Sequence, residues 1–276
     1  MNLLDFRFDK HSSTGNDGII REIFRLMGIH CGIFVEVGAW DGVLGSNCRM
    51  LYEQGWSGVF VEADPKRYAS LCLNYPGCDR VVCINSRIGV KDSLFDDVVA
   101  PKVSGEIDFC SIDIDGLDVE VFDTFKAKLP RVVCIEGGQM LHPYRRSISS
   151  KKSKNNIQQS LGVMCSVFRN KGYEPICSYQ DTFFVLSEYR YLFDVSENLM
   201  DLYLDGLVVL ARRIPWIRSV LKRNNLSNEI LDEIVRDTGY SKYGYSGRKR
   251  WAVERISDIQ RVVRAIRDRY AATGCR

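Results

Sequence analysis

Two stretches of this sequence end apolar runs in carboxylates: Ser111-Ile112-Asp113-Ile114-Asp115-Gly116-Leu117-Asp118 and Cys134-Ile135-Glu136-Gly137-Gly138. A carboxylate that ends a buried strand is costly unless it is used. Brought together above a sheet, Asp113, Asp115 and Glu136 either bind Mg2+ or Mn2+, or raise the pKa of one member until it can act as a general base. Asp113 is the first choice for that base, alone or through a metal shared with Asp115 and Glu136. His142, one of three histidines, follows Glu136 in a loop and is the alternative base, with a plain surface or structural role as the competing reading. Asp115 and Asp118 also suit simple capping of the next helix, Asp118 above all.

A second set of carboxylates surrounds a glycine turn. Phe34-Val35-Glu36-Val37-Gly38-Ala39-Trp40-Asp41-Gly42 reads as a strand ending in an acid and then a turn, and Val59-Phe60-Val61-Glu62-Ala63-Asp64 reads as a second acid-tipped strand. Gly38, Gly42 and Gly45 are spaced four and three apart, so the turn is not G-x-G-x-x-G. A dinucleotide pyrophosphate needs bare amides at a helix N-terminus, away from carboxylates. Carboxylates suit a ligand with a cationic amine and no phosphate, and S-adenosylmethionine has that chemistry. Glu36 or Asp41 would hold its amino-acid end, directly or through water. Glu62 would accept from both ribose hydroxyls, and Asn85-Ser86 would read the adenine edge.

These groups need an alternating α/β scaffold. The pattern predicts strands at 33–37, 58–62, 80–85, 107–112 and 132–135, with helices at about 46–54, 65–75 and 117–127 between them. Residues 90–103 read as irregular or partly helical. Asp64 and Pro65 read as the cap and first residue of their helix. Upstream, the polar loop His11–Gly18 leads into an amphipathic helix closed by Gly28, with Asp17 as its capper or the loop as a lid. Downstream come a polar basic insertion (143–156, with Arg145-Arg146 and Lys151-Lys152), a helix at 157–171, and a hairpin of strands 174–178 and 182–186. The expected fold is therefore α/β and Rossmann-like: a mostly parallel sheet with helices on both faces and a closing antiparallel hairpin.

From about Ser187 the pattern turns helical, which divides the chain into a domain of residues 1–195 and a helical extension of 196–276. Charge divides it as well. Residues 1–210 hold 22 Lys+Arg against 28 Asp+Glu, while residues 211–276 hold 16 against 7, or +9. Basic residues alternate with apolar ones over 212–222, and 239–250 mixes aromatics with cations. These fit either solvated faces and linkers or contact with a membrane surface or another anionic partner. Nucleic acid is not the expected partner. The ten cysteines form no C-x-x-C pair and several lie in apolar runs, which suits buried reduced thiols. The first ten residues carry no continuous apolar stretch, and no run approaches the ~20 residues that span a bilayer. A cytoplasmic setting is expected.

In combination, Asp17-Gly18-Ile19-Ile20, the Phe34–Gly42 turn, Ser46-Asn47, Trp56–Pro65 and Ser111–Gly116 resemble the FkbM-type S-adenosylmethionine-dependent methyltransferases, from about Ser12 to Leu186. The resemblance implies a class I methyltransferase fold with a seven-stranded sheet, and O-methylation of a sugar hydroxyl on a glycan or glycan precursor. Through the basic C-terminal tail, a glycosyltransferase partner or a membrane-surface contact is expected. Two departures stand out: Ser12-Ser13-Thr14-Gly15-Asn16-Asp17-Gly18, where relatives more often read S-Q-x-G-E-D-G, and Gly137-Gly138-Gln139, where relatives carry an aromatic or Asn. The expected cofactor-binding set is Asp17, Glu36, Gly38, Asp41, Gly42, Ser46, Glu62, Asp64, Asn85, Ser86 and Asp113. The rival readings are a nicotinamide-dependent oxidoreductase and a non-catalytic Rossmann-like binding module.

Overall fold

The computed structural model describes residues 2–137, 143–144, 159–213, 263–266 and 268. Along the chain run α1 (Asn16–Met27), β1 (Ile33–Val37), α2 (Arg49–Glu53), β2 (Ser57–Glu62), α3 (Pro65–Asn74), β3 (Val81–Asn85), α4 (Phe95–Val98), β4 (Phe109–Ile112), α5 (Asp118–Asp123), β5 (Val132–Glu136), α6 (Leu161–Asn170), β6 (Tyr173–Ser178), β7 (Asp181–Leu186) and α7 (Leu199–Arg213). The strands form one sheet in the order β3-β2-β1-β4-β5-β7-β6. The first five strands are parallel, and β7 is antiparallel to both β5 and β6. This is the Rossmann-like α/β architecture with a closing hairpin that the sequence pattern predicts.

Helices cover both faces of a parallel sheet, so its inner strands are apolar almost throughout. All four residues of β4 are buried, as are Val132–Ile135 of β5. Phe122 of α5 stacks on Phe168 of α6 at 3.8 Å, and Phe168 stacks on Phe184 of β7 at 3.8 Å, which ties two helices to the antiparallel strand. The edge strand β3 is only partly buried, leaving Val82 40% exposed. Leu202, Tyr203, Leu204 and Leu207 of α7 belong to the same buried cluster as Phe168, Tyr173 and Ile176. Among the described residues, five cysteines are buried and all nine are free thiols. No described helix is long and apolar enough to cross a membrane.

Three helices are shorter than their apolar spacing predicts: α6, expected from residue 157, starts at Leu161 with Ser160 as its N-cap, and α2 and α5 lose residues to carboxylates outside them. Glu36 holds the Ser46 hydroxyl and the Asn47 amide, which delays α2 until Arg49. The amides of Lys126 and Ala127 turn to Asp96 Oδ2 (3.0 and 3.1 Å), which ends α5 early. At the other end of the chain, α1 starts at Asn16 with Gly15 as its cap and no side-chain capping bond. Asp17 is therefore not the capper. It lies in the first turn and accepts the amides of Lys10, His11 and Ser12 on one oxygen at 2.7, 2.7 and 2.8 Å. Asp64 does cap α3, accepting from Lys66 and Arg67, with Pro65 as the first helical residue.

The strand order reverses between β1 and β4, where open α/β sheets form their ligand crevice. Gly38 closes that point: its φ is +89°, and a Cβ there would lie 1.8 Å from the Asp113 carbonyl oxygen. Gly38→Ala should therefore destabilise the fold by about 2–4 kcal/mol, measured by urea unfolding. A loss below about 0.5 kcal/mol would show that the two strand tips can separate freely.

Candidate functional site

The turn after β1 wraps the tip of β2. Gly38 and Ala39 donate to the Val61 carbonyl (2.9 and 3.0 Å), and Trp40 donates to Glu62 Oε2 at 2.8 Å. Glu62 Oε1 takes the Asp64 amide at 2.7 Å. The Glu62 carboxylate is 5% exposed and oriented through both oxygens, yet each oxygen has a second lone pair to offer. Asn85 Nδ2 and the Ser86 amide bond to the Glu62 carbonyl at 2.8 and 3.2 Å, which locks the tip of β3 to that of β2. Asp41 folds the turn on itself by accepting the Val43 and Leu44 amides (2.9 and 2.8 Å) on Oδ1.

Glu36 is buried behind this turn. Its oxygens hold Ser46 Oγ at 2.6 Å and the Asn47 amide at 2.7 Å, and burial pushes its carboxyl up to about 7 despite those donors. Ser46 Oγ in turn accepts the Cys48 and Arg49 amides (3.2 and 3.0 Å), starting α2. Of the residues expected to bind a cofactor, Asp17, Glu36, Asp41, Ser46 and Asp64 shape the loops around the crevice. Gly38, Gly42 and Glu62 line the turn itself.

Trp40 has a φ of +53°, a left-handed conformation that costs a bulky residue about 1–3 kcal/mol. The indole is 49% exposed, so burial offsets little of that cost. The Arg67 guanidinium lies 4.1 Å from its ring centroid, a contact worth about 0.5–1 kcal/mol at an exposed site.

Across the switch point, the loop after β4 folds around Asp118, which accepts the amides of Ile114 and Gly116 at 2.8 Å each. Asp118 opens α5 but reaches back into the loop instead of capping the helix, and burial raises its pKa. The loop presents Asp113 and Asp115, the latter at φ +61°. Together with Glu136 at the end of β5 they place one carboxylate oxygen each within 4.8 Å of the others. The expected convergence of the three acids is therefore seen. Glu136 is pushed up to about 8, first by burial and then by the charges of Asp113, Asp181, Asp118 and Asp115.

The sequence reading missed the polar chain that joins the two halves of the crevice. Asn16 donates to Asp181 Oδ2 (2.6 Å) and Asn47 Oδ1 (3.0 Å), and its own Oδ1 meets the Tyr179 hydroxyl at 2.7 Å. Asn47 then donates to Ser111 Oγ at 2.9 Å, and Thr14 donates to Asp181 at 3.1 Å. Asp181 stands opposite Glu136 in the β5–β7 register. One signal was available: Asp181 is a carboxylate at the boundary of an apolar strand, as Asp113 and Glu136 are. His142, residues 145–156 of the 143–156 insertion, and nearly all of the basic tail lie outside the described residues.

No protein-family model matches this sequence, and no curated protein does. Among solved structures it is similar to a candidate tRNA (m1A22) methyltransferase from Streptococcus pneumoniae, at 8% identity and a TM-score of 0.44 over 90% of this chain and 96% of that one. It is also similar to an O-methyltransferase from Bacillus cereus in complex with SAH, at 15% identity and a TM-score of 0.42 over 64% and 84% of the two chains. M. capricolum TrmK, in complex with S-adenosyl-homocysteine, matches at 11% identity and a TM-score of 0.41 over 89% and 97%. At these scores the likenesses carry no functional weight.

The Glu136 carboxyl titrates near 4.5 when unperturbed and at about 8 in the fold. The folded state therefore holds a proton that the unfolded chain has released between those values. The resulting stabilisation is complete below the lower value and is lost as pH rises through the upper one. Glu136→Gln should flatten the fall in Tm between about pH 5 and pH 9. A wild-type slope in the variant would mean that other groups carry the dependence.

Proposed function

We propose that this crevice binds S-adenosylmethionine and that the chain is an O-methyltransferase acting on a sugar hydroxyl of a glycan or glycan precursor. The observation that carries the reading is Glu62, a buried carboxylate at the tip of β2 whose two oxygens are aimed by the Trp40 and Asp64 amides. Such a group suits a ribose diol, with one hydroxyl on each oxygen. The donor set also argues against a dinucleotide. α2 begins only at Arg49, so no helix N-terminus meets the glycine turn, and Glu36 and Asp41 would repel a pyrophosphate.

Gly38, Gly42 and Glu62 would hold the cofactor, with Asp113 facing its reactive end and Asn85-Ser86 beside the adenine. Bound there, it supplies a methyl group already activated by sulfonium. The chain then has to orient the acceptor and manage one proton. Asp113 would take the acceptor's hydroxyl proton. Glu136, protonated below about pH 8, holds the acceptor by donating a hydrogen bond. Alternatively, with Glu136 ionised, one oxygen from each of Asp113, Asp115 and Glu136 would hold Mg2+ or Mn2+, which would lower the acceptor hydroxyl's pKa. The sugar acceptor is supported by the sequence resemblance. The +9 tail over 211–276 is the segment we assign to docking at an anionic membrane surface or a glycosyltransferase.

Calorimetry should show S-adenosylhomocysteine binding and no NAD binding, with Glu62→Ala losing about 10–100-fold in affinity. Asp113→Asn should slow methyl transfer to a glycan acceptor by about 10²–10⁴-fold. Binding of NAD in preference to S-adenosylhomocysteine would favour an oxidoreductase. Tight S-adenosylhomocysteine binding with no turnover of any glycan acceptor, with or without Mn2+, would favour a binding module.

A further inference from the structure

Between Gly38 and Gly42 the backbone enters the left-handed region three times, at Gly38 (φ +89°), Trp40 (φ +53°) and Gly42 (φ +71°). Glycine does so freely, whereas tryptophan is held there against its preference. Nothing in the core requires the ring: Trp40 is 49% exposed, while Trp56 is buried to 1%. A strained residue of this kind persists only where its surroundings fix it, and such residues gather at ligand sites.

Here the surroundings form a closed circuit. The Trp40 amide donates to Glu62 Oε2, and the Arg67 guanidinium lies over the indole at 4.1 Å. The Arg67 amide donates to Asp64 Oδ1 at 3.1 Å, and the Asp64 amide donates to Glu62 Oε1 at 2.7 Å. The carboxylate and the aromatic ring are thus held in a fixed relation at the mouth of the crevice, through links that run over the side chains of Glu62, Asp64 and Arg67.

We infer that the Trp40 indole is a stacking platform for the nucleoside whose ribose Glu62 holds, with Arg67 setting the tilt of the ring. The inference rests on reading Glu62 as the ribose carboxylate. It explains a strained, half-exposed aromatic where a glycine would fold more easily. It also adds an apolar surface to a site otherwise built from carboxylates, and base–aromatic stacking is a strong source of nucleoside affinity.

The test is calorimetry with S-adenosylhomocysteine on wild type, Trp40→Gly and Trp40→Phe, with Tm measured for each. Glycine relieves the backbone, so Trp40→Gly should keep or raise Tm while binding about 10-fold or more weakly. Trp40→Phe should stay within about threefold of wild type. Trp40→Gly binding as tightly as wild type would overturn the inference and leave the ribose assignment standing. A wild type that binds no S-adenosylhomocysteine would overturn both. A readout that needs no folded variant for binding is 19F NMR of protein labelled with 5-fluorotryptophan. The Trp40 resonance, assigned by its loss in Trp40→Phe, should shift on adding S-adenosylhomocysteine, and an unmoved resonance at saturation contradicts the platform.

Discussion

Glu36, the next-to-last residue of β1, has 5% of its surface exposed, and the chain that follows is shaped by the need to keep it solvated by protein. A buried carboxylate without donors costs several kcal/mol. Ser46 Oγ and the Asn47 amide meet that need, and in doing so fix where the glycine turn ends and α2 begins. The same arrangement recurs along the carboxyl edge of the sheet. Glu62 gathers the amides of Trp40 and Asp64, Asp118 those of Ile114 and Gly116, and Asp17 those of Lys10, His11 and Ser12. Among the described residues, these four acids organise the segments beside them.

That constraint separates two kinds of carboxylate. Glu36, Asp17 and Asp118 are surrounded by the chain's own amides and set loop shape. Asp113, Asp115 and Glu136 are gathered on one another, an arrangement that raises the Glu136 pKa and costs stability as that group ionises. Like charges crowded at the end of buried strands mark the half of the crevice where chemistry is expected. Glu62 belongs to both groups, because its amide partners orient it while leaving it able to accept more hydrogen bonds. The Asn16–Asn47–Ser111 chain joins the two halves, so the first residue of α1 forms part of the wall of the crevice.

Much of this was legible in the sequence, for a physical reason. A parallel sheet covered on both faces writes itself as apolar runs, and an acid at the end of such a run stands out. β1 matches its predicted bounds, Ile33–Val37, and the acids of β2, β4 and β5 emerge at the shared edge. Long-range polar contacts were not legible. Nothing local distinguishes Asn16 or Asn47 from surface residues, because their partners lie 31 to 165 positions away. Periodicity also overran α2 and α5, since it records which residues face the core and not which amides a distant carboxylate claims. Asp17 was misplaced for the same reason: its three donors precede the helix and do not lie within it.

The central claim is that the acid-tipped β2 and the turn around it form a nucleoside site beside a separate carboxylate centre. A crystal structure of the protein grown with S-adenosylhomocysteine and soaked in Mn2+ tests it most directly. The account predicts both ribose hydroxyls within hydrogen-bond distance of the Glu62 oxygens, and an anomalous manganese peak among Asp113, Asp115 and Glu136. Ligand density away from Glu62, or a crevice left empty at saturating S-adenosylhomocysteine, would contradict it.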